Sequence, residues 1–75
     1  MDKEALLKLV EETGLAPIIG NETTDTQVGW SKTSHERIPV LDALVEEPPL
    51  FITVERRQIA SLYQYNLYCS AKWLD

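Results

Sequence analysis

From Val54 to Asp75 the chain runs VERRQIASLYQYNLYCSAKWLD, twenty-two residues without a glycine or a proline. Glycine and proline are the usual punctuation between elements, so this stretch must be one long element or two joined by a turn built from ordinary residues. On a helix, Ile59, Leu62, Tyr63, Leu67, Ala71 and Leu74 share one broad face, and only Asn66 and Ser70 intrude. As a strand, Tyr63, Tyr65, Leu67, Cys69, Ala71 and Trp73 alternate with Gln64, Asn66, Ser70 and Lys72, and only Tyr68 is out of place. Residues 54–62 are mostly strong helix formers, whereas the three tyrosines and the cysteine of 63–69 lean to strand. The missing turn residue tips the reading toward a single helix over 54–72.

The remainder is read around that element. KEALLKLVEET, residues 3–13, places Leu6, Leu9, Val10 and Thr13 at helical spacing. Asp2 stands ready as its N-cap and Gly14 as its left-handed stop. IPVLDALVEE predicts a short helix over 40–46, entered through Pro39 and ended by Pro48-Pro49. Residues 20–37 are polar except for Val28 and Trp30, which predicts a long mobile loop. The expected fold is therefore mainly α, one small domain over 1–75. The alternative is α+β, with 50–54 and 62–73 as antiparallel strands. A chain of 75 residues has room for one core only.

Several function classes drop out on composition. Cys69 is the single cysteine and His35 the single histidine, which leaves no ligand set for zinc and no intrachain disulfide. No glycine pattern matches a phosphate loop, and no nucleophile stands beside an oriented base, so no catalytic, cofactor or metal residue is assigned. The first residues lack the uncharged apolar run of a signal peptide, and nowhere do 18 apolar residues follow one another. A cytoplasmic protein is expected.

The net charge of -5 argues against general attraction to nucleic acid or anionic membranes. It is unevenly spread, with residues 1–50 carrying -6 and residues 51–75 carrying +1. Acidic character with aromatic and arginine side chains suits protein recognition. Trp30, Arg56, Arg57, Tyr65, Tyr68 and Trp73 are the candidate contacts with a larger partner whose surface is basic. Short, acidic, aromatic-tipped chains of this profile include accessory proteins and phage-encoded modulators or inhibitors of host enzymes such as RNA polymerase or nucleases.

Two other expectations stand beside this one. Thr53 to Tyr63, TVERRQIASLY, resembles the positioning helix of helix-turn-helix regulators, with a capping threonine ahead of basic residues and an apolar-alanine pair. That resemblance implies DNA contacts through Arg56 and Arg57. Alternatively, the aromatic face of residues 59–74 pairs with its own copy in an obligate homo-oligomer.

Overall fold

The computed structural model describes residues 1–18 and 27–75. Its elements run α1 (Lys3–Thr13), β1 (Ala16–Pro17), β2 (Gln27–Ser34), α2 (Pro39–Glu46), β3 (Ile52–Ile59), β4 (Leu62–Ser70) and α3 (Ala71–Leu74). The strands form one antiparallel sheet in the order β1-β2-β4-β3. The fold is α+β, and the mainly α expectation is overturned. The alternative with antiparallel strands fits.

The first helix is where the sequence places it. Asp2 accepts a hydrogen bond from Ala5 N at 2.8 Å, and Gly14 takes φ 75° to close the last turn. The helix expected over 54–72 is instead β3, β4 and the single turn of α3. Its missing punctuation is supplied by Ala60-Ser61, a two-residue hairpin loop in which Ala60 adopts φ 54°. Positive φ at the first loop residue matches the right-handed twist of a hairpin and is normally given to glycine. Alanine there costs roughly 1–2 kcal/mol. Eight paired positions from Ile52↔Cys69 to Ile59↔Leu62 and burial of one face offset it. The stretch likened to a positioning helix is thus an edge strand and its turn, and the helix-turn-helix comparison loses its helix.

The polar segment expected to be a loop over 20–37 is in large part β2, whose eight residues pair with β4 from Gln27↔Ser70 to Ser34↔Tyr63. The part of that segment before Gln27 lies outside the described residues.

The described helices serve one face of the sheet. Leu6 and Leu9 of α1, Leu15 just after it, and Leu41 of α2 meet Trp30, Ile52, Val54, Tyr65, Leu67 and Cys69 in a single core. By alternation, Ser31, Thr33, Thr53, Glu55, Arg57, Gln64, Asn66 and Tyr68 fall on the other face, which no described element covers. Tyr68, the misfit of the strand pattern, has a specific place there. It lies across Gly29, where an added Cβ would stand 2.6 Å from its ring.

Candidate functional site

The densest polar constellation sits where α2 begins. Asp42 Oδ1 accepts from Arg56 Nη1 at 2.6 Å and from the Tyr65 hydroxyl at 2.8 Å. Asp42 Oδ2 accepts from Arg37 Nε at 3.1 Å. The Tyr65 hydroxyl in turn accepts from Ile38 N at 2.9 Å, which fixes the chain just before the helix. Burial pushes the Asp42 carboxyl up, but the three donors outweigh it and hold the group below its ordinary 3.8. Burial and the adjacent carboxylate raise the Tyr65 phenol above 10.0.

An aspartate, a tyrosine and two arginines could be mistaken for catalytic machinery. Tyr65 is only 1% exposed, and its hydroxyl is committed to Ile38 and Asp42. The cluster closes on itself and ties α2 to the sheet; its arrangement is that of a structural clamp.

This geometry sorts the six candidate contacts. Trp30 and Tyr65 are buried in the core, and Arg56 is a half-buried member of the Asp42 clamp. Tyr68 is half-buried over Gly29, and Trp73 is half-buried against the core from α3. Arg57 alone of the six is exposed. The structure does not gather the six into one surface.

A different site emerges at the other end of α2. Pro49, Leu50, Phe51 and Ile52 form a tight turn closed by Ile52 N donating to Pro49 O at 3.4 Å. Phe51 takes φ 71°, the conformation a type II turn demands at its third residue and gives to glycine or asparagine. A bulky aromatic there is a strained exception. Leu50 and Phe51 are nevertheless 80% and 71% exposed. Exposed Glu46, Glu47 and Pro48 lead into the turn. The result is an apolar tip on an acidic approach.

The reading of residues 50–54 as a strand passes over this tip. The signal was present: alternation that buries Ile52 and Val54 sends Phe51 to the polar face.

An apolar recess of about 310 Å³ lies where β1, β2 and α3 meet, lined by Pro17, Ile18, Val28, Gly29, Trp30 and Leu74 among others. Ile18 and Gln27, which border the undescribed residues, both line it. Among the described residues no cluster of His, Cys, Asp and Glu is placed to hold a metal ion. No helix among them is long and apolar enough to cross a membrane. No family model matches the chain, and no curated protein or solved structure matches it.

Proposed function

We propose that this chain is a small non-enzymatic binding protein that docks on a larger protein through the Leu50-Phe51 tip and modulates it. The observation that carries this reading is the pair of large apolar side chains held in solvent on a strained turn. A strained turn exposing a phenylalanine lowers stability twice over, through backbone conformation and through unburied apolar surface. Such cost concentrates where a surface is used, and aromatic anchors seated in well-packed pockets carry much of the energy of many interfaces. Glu46, Glu47 and Glu55 flank the tip in solvent, which suits a partner pocket rimmed by basic residues. The lone cysteine, a buried free thiol, suits a reducing compartment such as the cytoplasm.

Affinity capture from the native host's lysate tests this. The wild type retains a specific larger protein, the double variant Leu50→Ser/Phe51→Ser loses it, and Trp73→Ala retains it. Retention by the double variant refutes the tip as the contact.

A further inference from the structure

Among the described residues β3 has one neighbour in the sheet, β4, and its other edge is unpaired. Which backbone groups line that edge follows from the hairpin. Across a two-residue loop, Ile59 and Leu62 exchange both their backbone hydrogen bonds, and the register continues unbroken to Ile52↔Cys69. Thr53, Glu55 and Arg57 therefore direct N–H and C=O at β4, while Val54, Arg56 and Gln58 direct theirs outward. The far side of the sheet bears this out. The same parity, carried across β4 into β2, turns Gly29 toward β1, and Gly29 O does accept from Ile18 N at 2.9 Å. No backbone group among the described residues bonds the outward groups of Val54, Arg56 and Gln58.

An unpaired edge eight residues long is a template for another strand, and edge charges commonly guard against that. Here the charges are ordered so that one pairing satisfies them. Only antiparallel alignments that bring outward-facing residues opposite one another can form the ladder. Centring on Arg56 sets Glu55 opposite the partner's Arg57 and Arg57 opposite the partner's Glu55, in the closely spaced, non-hydrogen-bonded positions. Moving the register by two residues either way sets Glu55 against the partner's Glu55, or Arg57 against the partner's Arg57. Neither Glu55 nor Arg57 is engaged in an ion pair among the described residues. The two Arg56 side chains that meet at the centre lie on the helix-covered face, each already bound to its own Asp42 at 2.6 Å.

We propose that a second copy of this chain pairs with the free edge of β3, antiparallel about a two-fold axis between the two Arg56 residues, joining two four-stranded sheets into one of eight. The pairing extends the sheet beyond β3 and leaves the aromatic side chains of residues 59–74 where they lie, Tyr63, Tyr65 and Trp73 at the core and Tyr68 over Gly29. It rests on β3 alone and is independent of the role given to the Leu50-Phe51 tip.

Sedimentation equilibrium across the micromolar to millimolar range tests it, with far-ultraviolet circular dichroism to show that each variant is folded. The wild type reaches twice the 8.5 kDa of one chain. Glu55→Arg and Arg57→Glu each weaken association roughly tenfold or more, since each turns two attractive pairs into repulsive ones. The charge-exchanged double variant Glu55→Arg/Arg57→Glu associates again. Gln58→Pro, which removes an outward N–H at an exposed site, abolishes association without unpairing β3 from β4. A one-chain mass at every concentration overturns the proposal. A two-chain mass that the double variant does not restore, or that none of the variants changes, overturns the pairing.

Discussion

The two ends of α2 use their side chains in opposite ways. At the first end, Ile38 N, the Tyr65 hydroxyl, Asp42, Arg56 and Arg37 are joined in one closed set of hydrogen bonds. At the second, the chain leaves the helix through two prolines and holds Leu50 and Phe51 in solvent on a turn that Phe51 fits poorly. Polar and aromatic residues that resemble a binding site by composition are the clamp. Apolar residues that resemble core by composition are the exposed surface. Residue type alone misassigns both ends, because what a side chain can do depends on whether its groups are already committed.

Truncating the clamp should have the largest effect on stability. Asp42→Ala leaves a buried tyrosine hydroxyl and a half-buried guanidinium without their acceptor, and is expected to cost about 3 kcal/mol in urea or thermal unfolding. Capture of the partner by the fraction that remains folded should be unchanged. A loss of capture without a loss of stability would place the contact at the clamp and reverse the comparison.

Gly29→Ala comes next. The added methyl meets the Tyr68 ring, so the ring must leave its seat, at an expected cost of about 1–3 kcal/mol. The double variant Gly29→Ala/Tyr68→Ala should recover part of that loss, and failure to recover would show that the two are not in contact. Tyr65→Phe is milder, about 1–2 kcal/mol, because it removes one acceptor from Ile38 N and one donor to Asp42 while keeping the ring in the core.

The clamp also sets a pH dependence. Asp42 is held below 3.8 in the folded chain, so its contribution is in full force above that unfolded value and is lost as pH falls through the lower folded one. Wild type should exceed Asp42→Asn in melting temperature near neutrality, with the gap closing as the solution is acidified through that range. A gap that widens in acid would contradict the assignment.

The smallest expected effect has the opposite sign and belongs to the other end of the helix. Phe51→Gly places at φ 71° the residue that accepts it freely, and should leave stability unchanged or raise it by up to about 1 kcal/mol while abolishing capture. A variant that gains stability and keeps its partner would leave the tip without a function.

How far the sequence could be read varies along the chain for local reasons. α1 was legible to the residue, since its cap, its periodicity and its terminal glycine agree. The short helix entered through Pro39 was legible as well. The hairpin was not, because the turn carries Ala60 in place of glycine, and helix-forming residues occupy β3 up to it. Propensity in ERRQIA yielded to pairing with a strand whose alternate residues, Tyr65, Leu67 and Cys69, have a core to fill. Tyr65 stands on the apolar face of the strand reading, yet its hydroxyl is matched to Asp42, 23 residues away, only in the folded chain. The tip is only half legible: alternation sends Phe51 to the polar face but would bury Leu50, which is 80% exposed, and the positive φ of Phe51 leaves no mark in the sequence.

The central claim, that the chain meets its partner with the second end of α2 and not the first, is open to one direct measurement. A photoreactive benzophenone side chain can be placed at Phe51 in one sample and at Val40, also exposed but in the first turn of the helix, in another. After irradiation in the native host's lysate, the account predicts a covalent adduct with the captured protein from position 51 and none from position 40. An adduct from position 40 and none from position 51 would contradict it.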